Sequence, residues 1–156
     1  SKMVAPGLRM GWVVVPDSLC AHFVRAKQAS DLHSNNLSQY ILYNFLSNNS
    51  IDEHLQLVRQ AYKNQRNCMV RALTKYLPDA KYVLPQGGMF IWLQMPANTN
   101  TNKLVEQTMK SGVAFVPGKS FFTTNTGENF IRINFSNACQ SDIEKGIKII
   151  ANELSR

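Results

Sequence analysis

The sequence has no apolar run near the roughly 18 residues that a membrane-spanning helix needs, so no membrane partner is expected. Cysteine is scarce. Cys20, Cys68 and Cys139 are odd in number and far apart, and no Cys-x-x-Cys or Cys/His ligand spacing exists. That gives no support to a disulfide framework or a zinc site. Free or buried thiols in a reducing, cytoplasmic setting are expected instead. The three histidines, His22, His33 and His54, also lack ligand spacing, so no metal is expected and each is read as a surface or packing residue. Acidic residues are few, 10 Asp and Glu against 17 Lys and Arg, for a net charge of +7. The cations are spread along the chain (Arg25, Lys27, Arg59, Lys63, Arg66, Arg71 and onward) with no dense basic run. An electrostatic footprint for nucleic acid normally clusters, so nucleic acid is not an expected partner. No basic start leads into an apolar stretch and a small-residue cleavage site, so no secretory leader is expected. An initiator methionine is also lacking. The chain opens Ser1-Lys2, a start expected of a processed or truncated product.

What is present is an ordinary globular composition, 44% hydrophobic and 17% charged over 156 residues, about one domain's worth. Gly11 to Val15, stopped by Pro16, reads as a short buried strand. A helix is predicted from Pro16 to about Lys27. A second is predicted from Asn35 or Asn36 to about Leu46, with Leu37, Ile41, Leu42 and Phe45 on one face. Ser50-Ile51-Asp52-Glu53 has the pattern of a capping box. Apolar residues then recur from Leu55 to Tyr76, until Pro78. At about 1.5 Å per residue that is one helix of roughly 40 Å, long enough to connect two bodies of structure.

Beyond it the period shortens. Tyr82–Leu84, Met89–Met95, Val113–Val116 and Phe130–Ser136 read as strands. A short helix is predicted from Thr101 or Asn102 to Lys110, ended by Gly112. Ser141-Asp142-Ile143-Glu144 is a second capping-box pattern. Ile143, Ile147, Ile150, Ala151 and Leu154 would form the apolar stripe of a terminal helix. The expected organisation is a piece of one domain (1–48), a long helix (49–78) and a compact α/β unit (79–156).

Four segments stand out, and the first and last of them carry chemistry. Ser1-Lys2-Met3-Val4-Ala5-Pro6-Gly7-Leu8-Arg9-Met10-Gly11-Trp12 offers a lysine, a Pro-Gly turn and an arginine leading into an apolar run. A lysine with a lowered pKa forms an imine with a carbonyl, and an arginine binds phosphate as a fork of donors. On these residues alone, two surface cations flanking a turn is the favoured reading. Pro85-Gln86-Gly87-Gly88-Met89-Phe90-Ile91-Trp92 and Val116-Pro117-Gly118-Lys119-Ser120-Phe121 read as scaffold, with Gly87 or Gly88 at the margin of a pocket. In Asn129-Phe130-Ile131-Arg132-Ile133-Asn134-Phe135-Ser136 the strand alternation puts Ile131, Ile133 and Phe135 on one face. Arg132 and Asn134 lie on the other, where a plain solvated arginine remains possible.

Taken together, these segments resemble fold type I pyridoxal-phosphate-dependent aminotransferases of class I/II. The first resembles that family's S-K-x-x-x-P-G-x-R-x-G motif, the second its P-x-G-G-x-F-x-W segment and the third its V-P-G-x-x-F segment. The strand around Arg132 is similar to the one bearing the family's substrate arginine. Lys27-Gln28-Ala29-Ser30-Asp31-Leu32-His33-Ser34 points to the aminoadipate/kynurenine-type branch. The resemblance implies an α/β fold: the end of a cofactor-binding domain, a long connector helix, and an α+β small domain with a mostly antiparallel sheet and flanking helices. It implies that Lys2 holds pyridoxal 5'-phosphate covalently and moves the proton at the substrate Cα. Arg9 would bind the cofactor phosphate with Ser1 as a further contact, and Arg132 would bind the α-carboxylate.

The implied substrates are an amino acid and a 2-oxo acid, and the implied assembly of the intact protein is a homodimer. In that family the groups that pair with the pyridine nitrogen, stack on the ring and make most phosphate contacts precede the lysine. The chain by itself is therefore expected to bind the cofactor poorly and not to transaminate. Two alternatives stay open: a pyridoxal-phosphate-dependent lyase, and the effector domain of a winged-helix transcription regulator, since fold alone does not fix function.

Overall fold

The computed structural model describes residues 3–124 and 126–155. Ser1 and Lys2 lie outside the described residues. The chain divides into two compact units, 1–58 and 59–156.

In the first unit a 3-10 turn at Pro6–Leu8 is followed by helix α1 (Asp17–Asp31) and helix α2 (Asn36–Asn48). Asn35 caps α2 by accepting from the Ser38 amide, the role expected of a short polar side chain there. The predicted strand at 11–15 does not form, and the segment has no regular secondary structure. A strand needs a partner for its amides and carbonyls, and none pairs with it among the described residues. Val14 is 92% exposed, and no described residue of this unit is buried.

Helix α3 (Ile51–Tyr76) crosses the division between the units as one uninterrupted element. Half of its predicted capping box is present: the Glu53 amide donates to Ser50 Oγ at 3.3 Å. In the second unit its apolar stripe, including Met69, Ala72 and Leu73, is buried.

The second unit carries a four-stranded sheet in the order β1-β2-β4-β3. The strands are β1 (Lys81–Tyr82), β2 (Phe90–Gln94), β3 (Val116–Pro117) and β4 (Phe130–Asn134), and every pairing is antiparallel. Alternation sends Ile91 and Leu93 of β2, and Ile131 and Ile133 of β4, to one face. There they join one core with Phe135, with Leu104 of α4 (Thr101–Lys110) and with Ile143, Ile147 and Ile150 of α5 (Gln140–Leu154). Complete burial of a side chain such as Leu93 contributes about 1.5–3 kcal/mol relative to exposure. The expected small α/β unit with an antiparallel sheet and flanking helices is therefore what this part of the chain forms.

Both helix starts differ from the sequence expectation. Asn100, not Thr101 or Asn102, caps α4 by accepting from the Lys103 amide. Thr101 is buried and its hydroxyl donates to the Glu128 carbonyl. Helix α5 starts one residue before Ser141, at Gln140, with Cys139 as its N-cap and no side-chain capping bond. Glu144 is drawn away by Lys75 and Tyr76 of α3, so it does not close a capping box.

Candidate active site

The face of the sheet away from the core carries the candidate residue Arg132. Phe90, Trp92, Phe130 and Arg132 share it, because each alternates with a buried neighbour. Arg132 stands at the centre of β4, across from Trp92 on β2 and Val116 on β3. After β3 a 3-10 turn, Gly118–Phe121, delivers the Phe121 ring to the same place. The guanidinium carbon of Arg132 lies 4.3 Å from the centre of the Phe90 ring and 4.6 Å from that of Phe121. Around that pair, Trp92 stacks on Phe130 at 5.5 Å and meets Phe121 edge-on at 5.3 Å.

This environment fixes what Arg132 can do. Its charge is permanent, and two ring faces hold it by cation–π attraction, roughly 0.5–2 kcal/mol each depending on desolvation. No carboxylate pairs with it among the described residues. Its Nε is buried and has no hydrogen-bond partner. A buried donor left unpaired costs on the order of 1–3 kcal/mol, and a bound carboxylate accepting from the fork would offset that cost.

The turn that supplies Phe121 depends on Gly118. A Cβ at that position would lie 2.8 Å from the Phe130 carbonyl oxygen and 2.9 Å from its carbon. The backbone of the turn thus approaches β4 more closely than any side chain permits.

The second predicted site lies in the first unit. Arg9 follows the Pro6–Leu8 turn with φ 52°, and its amide donates to the Pro6 carbonyl at 3.2 Å. Left-handed backbone in a residue with a Cβ costs about 1–2 kcal/mol and is a reason to look for function. The side chain is exposed; among the described residues it makes no ion pair, and its one hydrogen bond there is from Nη1 to the Pro6 carbonyl. A guanidinium with spare donors on a fixed turn is a donor set that fits a phosphate group. Ser1 and Lys2, the other two predicted contacts, lie outside the described residues. The neighbouring residue is tied down: His54 Nε2 donates to the Met3 carbonyl at 3.0 Å, with the imidazole edge-on to Phe45. A carbonyl only accepts, so the proton sits on Nε2.

Sequence reasoning singled out Arg132 and Arg9 but missed the rings that hold the former and the histidine that anchors the turn before the latter. The available signal was the run of phenylalanines shortly before Arg132, at Phe121, Phe122 and Phe130, whereas Phe90 and Trp92 lie far from it in sequence and gave none.

Residues 2–150 match the family model described as aminotransferase class I and II. An uncharacterised aminotransferase of Saccharolobus solfataricus is 38% identical over 99% of this chain and 39% of its own length. An uncharacterised HTH-type transcriptional regulator of Bacillus subtilis is 33% identical over the whole of this chain and 32% of its own length. Among solved structures, the α-aminoadipate aminotransferase LysN of Thermus thermophilus, complexed with N-(5'-phosphopyridoxyl)-L-leucine, superposes with a TM-score of 0.93. It is 31% identical and covers 99% of this chain and 40% of that one. The chain thus spans about two-fifths or less of the length of these relatives.

Proposed function

The chain belongs to the class I and II aminotransferases, and from that premise we propose that the intact protein is a pyridoxal-phosphate-dependent enzyme moving an amino group from an amino acid to a 2-oxo acid. The observation that carries this reading is Arg132. It is a guanidinium clasped between two phenyl rings, with a buried, unpartnered Nε, on the sheet face away from the core.

In this reading Arg132 binds the substrate α-carboxylate through its fork and so fixes the orientation of the Cα–H bond. Phe90 and Phe121 hold the guanidinium, and Trp92, stacked on Phe130, packs edge-on against Phe121. Arg9, and with it Ser1, takes the cofactor phosphate. The cofactor, when bound, supplies the electron sink that the side chains lack. Lys2 anchors it covalently and then moves the proton at the substrate Cα.

Residues 1–48 are the end of a larger cofactor-binding domain, 49–78 a connector helix and 79–156 the small domain. The exposed apolar side chains Trp12, Val13, Val14 and Phe23 support the first assignment, since contiguous apolar surface marks a covered face. Groups beyond this chain complete the cofactor site, and the intact protein is a homodimer. The aminoadipate/kynurenine-type branch supplies its donor class.

The test is the absorption spectrum of the intact protein with pyridoxal 5'-phosphate during titration with amino acids. The band of the lysine-bound cofactor should fade with a donor such as 2-aminoadipate and return with a 2-oxo acid. A band that forms and responds to no amino acid would sink the enzyme reading. It would favour the second one, a ligand-sensing domain of a regulator, for which the similarity to an HTH-type regulator speaks.

A further inference from the structure

Helix α3 carries its only acids, Asp52 and Glu53, in its first turn, and every later charge on it is positive. Three of those cations, Arg59, Lys63 and Arg66, are spaced i, i+4 and i+7 and so share a face. None has Asp or Glu three or four residues away on the helix. Like charges at this spacing repel, and the helix itself provides nothing to relieve them.

These three side chains line a cavity of about 400 Å³. Its other walls are Tyr62, Phe135 and the Pro85–Gly88 loop, so every lining residue lies within the second unit. The volume is in the usual range for small-molecule sites, about 300–1,000 Å³. No carboxylate lines it among the described residues. Arg59 and Lys63 make no ion pair or hydrogen bond with any described residue.

Arg66 is fixed in place. Its Nη1 donates to the Pro85 carbonyl at 2.9 Å, and its Nε and Nη2 donate to Asn67 Oδ1. It thereby ties the loop to the helix while keeping N–H groups to spare. The loop stays open because Gly88 takes φ +78° and neither Gly87 nor Gly88 has an atom within 4 Å of where a Cβ would stand. Two rings, Tyr62 and Phe135, meet edge to face at 6.5 Å and add an aromatic patch to the cavity wall. Phe135 belongs to the core side of the sheet, whereas Arg132 occupies the other face. The cavity is therefore distinct from the arginine site described above.

We propose that this cavity is a second anion site, one that binds a small dicarboxylate. Cations with no acidic partner among the described residues call for an anion of more than one charge. The aromatic patch favours a ligand with a hydrocarbon spacer between its charges over a compact oxyanion. One carboxylate meets Arg59 and Lys63, and the other reaches the spare donors of Arg66.

The test is calorimetric titration of the full chain with succinate, with acetate at matched ionic strength and with inorganic phosphate. Succinate should bind saturably and more tightly than either comparison anion. The double substitution Arg59→Gln/Lys63→Gln should weaken it by about tenfold or more, the scale of losing charge-assisted hydrogen bonds. The component of binding that the double variant loses should persist in Arg132→Gln. Both changed helix positions are exposed, so the fold tolerates them. The proposal is overturned if succinate binds no better than acetate, if phosphate binds as tightly as succinate, or if the double variant retains full affinity. Loss of binding in Arg132→Gln alone would assign the anion to the other face and equally overturn it.

Discussion

Arg132 and Phe121 are brought within 4.6 Å by two separate segments, a strand and the 3-10 turn that precedes it in the chain, so the guanidinium lies against a ring it does not share a strand with. Lysine at position 132 would keep the charge but lose both the bidentate fork and the stacking. Under the proposed function, Arg132→Lys in the intact protein should lower kcat/KM for the amino donor by about 100-fold, the scale of losing one charge-assisted bond together with its orientation. Phe121→Leu keeps the fork and removes one cation–π contact, so its effect should be a rise in KM of no more than about tenfold. Steady-state kinetics separates the two. Equal effects would mean that the ring has no part in holding the arginine.

Gly118 is the point at which the Phe121 turn touches β4. With backbone atoms of Phe130 2.8 and 2.9 Å from the would-be Cβ, alanine cannot be accommodated by rotating a side chain. Gly118→Ala should destabilise the protein by about 1–3 kcal/mol, as overpacking does, read as a lower urea midpoint. Phe121 should also move off Arg132, so the rise in donor KM seen for Phe121→Leu should reappear.

The second unit was the more legible part of the sequence. The stripes of α3 and α5 and the alternation in β2 and β4 come from residues that bury their own apolar side chains locally, and period alone exposes them. The strand expected at 11–15 failed because its signal was composition without a ladder partner. The capping sites failed for a different reason. Ser141 and Glu144 fit the pattern, yet Glu144 is taken by Lys75 and Tyr76, some seventy residues earlier in the chain. Long-range competition of that kind leaves no local mark. The same holds at the site: Arg132 stood out by alternation, while its clasp depends on Phe90 and Phe121, which the fold brings together.

The corrected caps are directly testable. Asn100 Oδ1 accepts from the Lys103 amide at 3.1 Å, so Asn100→Ala should cost about 1 kcal/mol. Ser141 offers no capping bond to α5, and Ser141→Ala should lie within about 0.5 kcal/mol of the parent protein. Chemical denaturation of the two variants side by side decides it. A larger loss for Ser141→Ala would restore the capping box that the sequence suggested.

The contact that diverts Glu144 should leave its own signature in pH. Tyr76 donates to Glu144 Oε1 at 2.9 Å and Lys75 Nζ reaches the same oxygen at 3.1 Å. The Tyr76 hydroxyl first, and Lys75 second, hold the Glu144 carboxyl below its ordinary range. Tyr76 and then Glu144 raise the Lys75 ammonium above its own. For a carboxylate lowered by folding, the stabilising contribution is complete above the unfolded pKa and is lost as pH falls through the folded value. For a raised lysine it is complete below the unfolded pKa and is lost as pH rises through the folded one. The cluster therefore supports the α3–α5 contact across the neutral range and fades at both ends. Comparison of Tm against pH for the parent and Glu144→Gln should show a gap at neutral pH that closes in acid. The groups are exposed, so salt should narrow that gap. Because the tyrosine hydroxyl has the larger effect, Tyr76→Phe should return the Glu144 carboxyl toward its ordinary range by more than Lys75→Gln does, as followed by carbon-detected NMR titration. The reverse order would make the ammonium, not the phenol, the group that holds the carboxylate.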